Sequence, residues 1–502
     1  MKIFNSGQRR SAGLIFGAIG LLLTFLLHWG APQSVQAQVA GEKLFGVHEF
    51  NIGAQASGLP DRTVLMKQVG AKIVRLPISW HLVEGAGKGQ TPQWLLDILD
   101  ADITAAERNG LKVIVEMAYS PCWASSAPNK RCSDPNYNDY ITYPPTNPND
   151  YGDALARLVQ RYKNRVYAWE IWNEPNLVQN WKPLAARPAA QNDLYNSFVD
   201  LAGARRYAEL VKATYPKVKA ASPTATVLVG AIAGGDVDYL NAMYAAGVKG
   251  SFDALSMHPY AAPYPVASSD PRYGKEYGPD ECFPSSDPKT AKFWCVKAGV
   301  ENIRQAMLAK GDDKPIWLTE FGFSSTAVWN GSGPQGQADN LRKAVQLIKG
   351  WNFVPVACWY QLIDRYAADD REGRFGLFTT ALGAKPAATA FREAIGQSGS
   401  GLSKPVLLSP KGTIATTRPI YRWQPVAGAT QYFIWVNQYG SNPQVPGKVQ
   451  MTVTPSQASC TATECRFQPT TTLVKGGAEW WVTAIGANGA RAESPGQYFI
   501  MQ

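Results

Sequence analysis

The chain has 502 residues, of which 45% are hydrophobic and 18% charged, with 16 Trp, 22 Tyr and 18 Phe. This globular composition holds ample apolar material for a core, which excludes wholesale disorder and coiled coil, and the length allows one large domain with a smaller one. The formal net charge of +10 is diffuse, with no basic run longer than a pair such as Arg9-Arg10, so nucleic acid is not indicated as a partner.

In chain order, the first feature is a targeting segment. Lys2, Arg9 and Arg10 precede an apolar stretch from Ala12 to Leu27, and Val35 and Ala37 supply the small residues that a signal peptidase reads. Residues 1–37 are expected to be a secretory signal cleaved after Ala37, with an uncleaved membrane anchor as the alternative. The protein is therefore expected to be secreted, periplasmic or extracellular. Six of the seven cysteines agree, falling into close pairs: Cys122 with Cys132, Cys282 with Cys295, and Cys460 with Cys465. Each pair lies in a stretch that reads as loop and is expected to form a disulfide. Cys358, inside the apolar run Val354–Trp359, reads as a buried free thiol. No pair has CxxC spacing and no histidine clusters nearby, so neither a metal nor another cofactor is expected.

From Leu44 to about Ala394, short apolar runs alternate with longer amphipathic stretches. The runs are Leu44–Val47, Lys72–Pro77, Lys112–Met117, Val166–Trp172, Thr226–Ala233, Phe252–His258, Pro315–Phe321 and Val354–Tyr360. Helical patterns stand between them over Trp94–Asn109, Tyr151–Tyr162, Leu201–Tyr215, Ala291–Lys310 and Gln337–Lys349. Such alternation implies parallel strands with helical crossovers, and eight units predict an α/β fold, a (β/α)8 TIM barrel, over residues 41–396. An open doubly wound sheet is the alternative, but Gly46-Val47-His48-Glu49 offers no glycine-rich phosphate loop after the first strand.

Residues 397–404 form a Gly/Ser linker. Beyond it, residues 405–502 carry short β-rich runs at Ile420–Trp423, Gln431–Asn437, Val449–Val453, Cys465–Gln468 and Glu479–Ile485. They predict a small all-β sandwich of the fibronectin or immunoglobulin type. Trp480 and Trp481 occupy adjacent strand positions and point to opposite faces, so one of them is a candidate for contact with a cell-surface or matrix glycan.

The chemistry concentrates in two motifs. Trp169-Glu170-Ile171-Trp172-Asn173-Glu174-Pro175-Asn176 ends the fourth run and puts Glu174 at the mouth of the barrel, where a barrel's chemistry sits. Trp317-Leu318-Thr319-Glu320-Phe321-Gly322-Phe323 ends the seventh and brings Glu320 to the same mouth. Two carboxyl groups across a sugar-sized gap are the apparatus of glycoside hydrolysis: one protonates the leaving oxygen, and the other attacks the anomeric carbon or activates water.

With these motifs the barrel resembles clan A of the glycoside hydrolases, and the chain is most similar to families 39 and 5. Ser120-Pro121-Cys122-Trp123-Ala124, Tyr143-Pro144-Pro145, Tyr162–Val166, Phe375–Phe378 and Lys385–Ala388 carry the likeness to family 39. The resemblance implies a retaining glycosidase acting on a polysaccharide or oligosaccharide, with Glu174 as general acid/base and Glu320 as nucleophile. It implies that Arg75 holds Glu320 anionic and that Asn173 binds the sugar's 2-hydroxyl. His258 and Tyr260 would line the cleaved sugar's site, and Trp359 would lie under the sugar as a stacking platform. His48, Trp80 and Trp123 are further candidates on the same face. Glu116 lies inside the third strand and reads as a decoy, and Ala118 or Tyr119 stands where family 5 often has a histidine. A monomer is expected. The alternative function is a non-catalytic carbohydrate-binding protein on the same barrel, which the retention of both glutamates argues against.

Overall fold

The computed structural model describes residues 43–53, 61–134, 138–183, 199–261, 277–284, 292–327, 332–366, 370–396, 402–439, 445–486 and 491–502. The expected signal segment, most of the Gly/Ser linker and most of the stretch between residues 261 and 293 lie outside them. Eight parallel strands close into a barrel in sequential order. They are β1 (Leu44–His48), β2 (Ile73–Ser79), β3 (Lys112–Ala118), β4 (Ala168–Ile171), β5 (Thr226–Ala233), β6 (Ala254–His258), β7 (Ile316–Phe321) and β8 (Val356–Tyr360). β8 pairs back onto β1 along its whole length. Every expected apolar run therefore overlaps one barrel strand.

The described helices are α1 (Thr63–Gln68), α2 (Trp80–Val83), α3 (Gln93–Arg108), α4 (Pro148–Tyr162), α5 (Gly203–Ala221), α6 (Val237–Ala245), α7 (Val296–Ala309), α8 (Gly333–Gly350) and α9 (Pro386–Ala394). Helix α4 shows how they form. Asn147 accepts a hydrogen bond from the Asn149 N–H and Pro148 supplies a first-turn φ. Tyr151, Ala154, Leu155, Leu158, Val159 and Tyr162 then bury one stripe. Helix α5 continues through Pro216, six residues past the expected end at Tyr215, and buries Val218. The apolar contact of that last turn outweighs the hydrogen bond that proline cannot make. Among the described residues no helix is long and apolar enough to cross a membrane.

The barrel interior has two layers set by the two-residue period of its strands. Ile73, Ile114, Ala168, Leu228, Ala254, Trp317, Val356 and Cys358 form an apolar plug. Two residues further along their strands, Arg75, Glu116, Glu170, Ser256 and Thr319 form a buried polar layer. Gly46 in β1 is required here, because a Cβ would lie 1.8 Å from the Ile73 carbonyl oxygen.

The remaining strands are β9 (Leu407–Ser409), β10 (Gly412–Ile414), β11 (Tyr421–Trp423), β12 (Ala429–Gln438), β13 (Val445–Val453), β14 (Cys465–Phe467), β15 (Gly476–Gly486), β16 (Arg491–Glu493) and β17 (Gln497–Met501). They make a sheet in the order β10-β17-β15-β12-β13, with β16 on β15, and a second in the order β14-β11-β9. Tyr421, Trp423, Ile434, Trp480 and Val482 pack between them. Trp480 is wholly buried and donates its indole N–H to the Pro410 carbonyl at 3.0 Å, whereas Trp481 is half-buried on the opposite face.

The three expected disulfides, Cys122–Cys132, Cys282–Cys295 and Cys460–Cys465, are formed. Cys358 is a free cysteine, wholly buried in the plug, and burial pushes its thiol up. Iodoacetamide should therefore label the native protein nowhere, and should label the denatured, unreduced protein once, at Cys358, as read by peptide mass spectrometry. Labelling of any other cysteine in the unreduced protein would break the pairing.

Candidate active site

The site is built where the polar layer meets the mouth of the barrel. After β4 the backbone turns sharply: Trp172 (φ 68°) and Glu174 (φ 45°) both occupy the left-handed region that side-chain-bearing residues seldom adopt. The turn is held on both sides. The Glu174 N–H donates to the Ala231 carbonyl at 3.1 Å. Asn176, wholly buried, donates to the Ala233 carbonyl and to Asp236, and accepts from the Ala233 N–H, each at 3.0 Å. The Glu174 carboxyl is thereby thrown over the mouth rather than along the strand.

Arg75 organises the floor. Its Nε donates to Glu170 Oε2 at 2.6 Å, its Nη1 to Glu320 Oε1 at 2.6 Å, and its Nη2 to Asn173 Oδ1 at 2.9 Å. Nη1 also lies 2.9 Å from His48 Nδ1. A guanidinium has only donors, so His48 Nδ1 accepts and its proton sits on Nε2. Burial and the neighbouring Arg75 charge push the His48 pKa well down, so the ring is neutral. Burial alone would push the Glu170 carboxyl up, but Arg75, with Ser256 and Thr319, more than offsets this and holds it below the ordinary glutamate value.

The two carboxyl groups of the motifs have unequal surroundings. Glu320 receives Arg75 on Oε1 and the Tyr260 hydroxyl on Oε2 at 2.9 Å, two donors that favour its anion against the upward push of burial. Glu174 receives the Asn180 amide at 3.0 Å and has no cation in hydrogen-bond reach among the described residues, and burial pushes it up to about 7. His258 stands between them, its Nδ1 3.1 Å from Glu174 Oε1 and 3.6 Å from Glu320 Oε2, its Nε2 3.1 Å from the Thr319 hydroxyl. Burial lowers the His258 pKa to about 4, so it too is a neutral ring. One atom each of Glu174, His258 and Glu320 lies within 4.8 Å of the others, a set that a divalent cation would accept. Arg75 already brings a positive charge to the same carboxylate.

A cavity of about 290 Å³ opens above these groups. It brings together Glu174, Glu320, Arg75, Asn173 and Tyr260, with His258 forming the wall behind them. His48 also lines it. Trp359 does not: it is wholly buried, donates to the Phe375 carbonyl at 3.0 Å, and packs against Phe321 and Phe323. Tyr360 lines the cavity instead. The strand period explains the correction, because Cys358 faces the barrel interior and the residue two further on, not one, faces it again. Trp80 and Trp123 pack edge-to-face on each other and bond to Glu84, away from the cavity. Glu116, read from sequence as a decoy, lines the cavity, as does Tyr119. Sequence reasoning also missed Asn180, Arg365, Arg371 and Glu372. The three from the segment after β8 carry no motif, and only their fold brings them to the mouth.

A family model described as cellulase, glycosyl hydrolase family 5, matches residues 35–359. In structure the chain is similar to a family 39 glycoside hydrolase from Bacteroides cellulosilyticus, 19% identical over 88% of this chain and 81% of that one, with a TM-score of 0.51. It is also similar to a monomeric β-xylosidase from Caulobacter crescentus, 15% identical over 85% of this chain and 94% of that one, with a TM-score of 0.49. An exo-β-1,4-mannosidase from an Opitutaceae bacterium is 16% identical over 70% of this chain and 59% of that one, with a TM-score of 0.46. No curated protein matches the sequence.

Arg75→Met tests the floor of the site. It would leave Glu170 and Glu320 buried without their cation, and removing one partner of a buried ion pair costs about 3–5 kcal/mol. Urea unfolding at pH 7 should show a loss of that order. Because the Glu170 carboxyl is held below its ordinary value, the stability it contributes is present above the ordinary glutamate range and lost as pH falls through its folded value, so the gap between wild type and variant should narrow in acid. A variant within about 1 kcal/mol of wild type would deny Arg75 this role.

Proposed function

The chain belongs to the cellulase family, glycosyl hydrolase family 5, and from that premise we propose that this glycosidase cleaves β-O-glycosidic bonds of a polysaccharide or oligosaccharide with retention of configuration. The observation that carries the reading is the pair Glu174 and Glu320, with an oxygen of each within 4.8 Å and with opposite electrostatic surroundings. Retaining enzymes set their carboxyl groups about 5–5.5 Å apart, inverting ones about 6.5–9.5 Å.

In the first step Glu320, ionised by Arg75 and Tyr260, attacks the anomeric carbon. The bond to the leaving oxygen breaks, and that oxygen takes the proton held on Glu174. In the second step Glu174, now a carboxylate, takes a proton from water. The water oxygen bonds to the anomeric carbon, and Glu320 leaves as the anion it began as. Asn173, oriented by Arg75 Nη2 at 2.9 Å, presents its amide N–H to the sugar's 2-hydroxyl. Neutral His258 holds Glu174 in place without supplying a charge that would strip its proton. The three disulfides fit export through the segment 1–37 to an oxidising compartment, as a monomer. Trp481 is the group through which the C-terminal domain would meet a glycan.

A panel of 4-nitrophenyl β-glycosides and defined polysaccharides tests the reading. Glu174→Gln and Glu320→Gln should each fold normally and lose about three or more orders of magnitude in rate on the best substrate. The first product seen by NMR should keep the β configuration. Near-wild-type hydrolysis by either variant would remove that residue from the mechanism, and an α product would replace double displacement by inversion.

The pH profile follows from the same split. The enzyme needs Glu174 protonated and Glu320 ionised, so kcat/KM should fall as pH rises through about 7 and fall again in acid as Glu320 takes up a proton. A profile flat from pH 6 to 9 would contradict Glu174 as the acid.

A further inference from the structure

Of the two carboxyl groups in the polar layer, Glu170 is bonded to Arg75 and Glu116 is not. Glu116 sits on β3 between Pro77 of β2 and Glu170 of β4 in register, is only 2% exposed, and borders the cavity. Its Oε1 has no hydrogen-bond partner among the described residues. Its Oε2 comes no closer than 3.9 Å to Arg75 Nη2, beyond hydrogen-bond reach. Four of the five Arg75 N–H hydrogens go to Glu170, Glu320, His48 and Asn173, and the fifth, on Nη2, does not come within hydrogen-bond reach of Glu116. The charged groups facing Glu116 are thus Arg75 from β2, Glu170 and Glu174 from β4 and its turn, and Glu320 from β7. One cation faces three other carboxyl groups, and it is already bonded to two of them.

A carboxylate so placed would be buried without a donor, which is costly, whereas the neutral acid carries no charge to solvate. Burial, with the three acidic neighbours and against Arg75, pushes Glu116 up to about 8. At neutral pH it therefore holds a proton, and no described protein group accepts it. We propose that Glu116 is a substrate-binding residue, a neutral carboxylic acid whose O–H donates a hydrogen bond to a hydroxyl of the sugar held in the cavity. The sugar completes a pairing that the protein leaves open. This acid differs in role from Glu174, since its proton stays on Glu116 throughout the reaction.

The proposal rests on the cavity holding a sugar, and the test separates the two ideas. The probe is the 4-nitrophenyl β-glycoside that wild type hydrolyses fastest, with its set of monodeoxy analogues. Glu116→Gln keeps a neutral N–H donor of the same length and should hold kcat/KM within about threefold of wild type. Glu116→Leu removes the donor and should lose about 10- to 100-fold, the range expected when a hydrogen bond to a buried group is lost. On the analogue lacking the bonded hydroxyl, wild type and Glu116→Leu should become equal, an outcome that a merely structural role would not produce. Above pH 8, as Glu116 gives up its proton in addition to Glu174, log kcat/KM of wild type should fall more steeply than that of Glu116→Gln, which follows Glu174 alone with a slope near one, until the two differ by the same 10- to 100-fold. Glu116→Leu within threefold of wild type on the parent glycoside would overturn the contact. Equal damage in Glu116→Gln and Glu116→Leu, with melting temperatures unchanged, would overturn the neutral donor. No hydrolysis of any glycoside by wild type would overturn the glycosidase reading and this proposal with it.

Discussion

The site depends on one buried positive charge. Arg75 lies wholly inside the barrel, three carboxyl groups surround it, and two of them bond to it at 2.6 Å. Isolated, such a charge would be prohibitively expensive to desolvate, and so would each carboxylate. Together they form a lattice in which each member is tolerable only because the others are fixed. Glu170 anchors the guanidinium from below through Nε, and Thr319 in turn donates to Glu170 Oε1 at 2.7 Å. The cation therefore cannot drift toward whichever carboxylate happens to be ionised.

Fixing one cation divides the protonation states of everything near it. Glu170 and Glu320 lie in direct contact with Arg75, which holds Glu170 below its ordinary value and opposes the upward push of burial on Glu320. Glu174 and Glu116 stand beyond its hydrogen bonds, and burial raises both. Burial, helped by the same charge, keeps His48 neutral, and the Arg75 donor sets its tautomer. Identical side chains thus acquire different properties from their distance to a single nitrogen fork, with no change of residue type.

The repeated strand and helix patterning made the barrel legible, because parallel strands covered on both faces are largely apolar and their crossovers amphipathic. The two principal glutamates were legible for a different reason: each comes at or just past the end of a strand, and strand ends are where a barrel exposes chemistry. Legibility failed where side-chain direction decided the matter. Trp359 has the larger ring, but Tyr360 has the right parity to face the mouth. Glu116 sits inside a strand, and the reading that a site residue must end one passed it over, although the polar layer reaches one level deeper than the mouth. Arg365, Arg371 and Glu372 arrive from a stretch with no periodic pattern at all.

The apolar plug has a consequence for traffic. With Ile73, Ile114, Ala168, Leu228, Ala254 and Trp317 packed beneath the polar layer, the vessel has no lower exit. In the proposed double displacement, the departing alcohol and the arriving water must share one doorway. Water reaches the covalent intermediate only after the first product has cleared the entrance, and any other alcohol that lingers there, a second sugar included, meets the intermediate in the position water would take. The seal at the base of the barrel therefore bears on whether a bond is cut or merely exchanged.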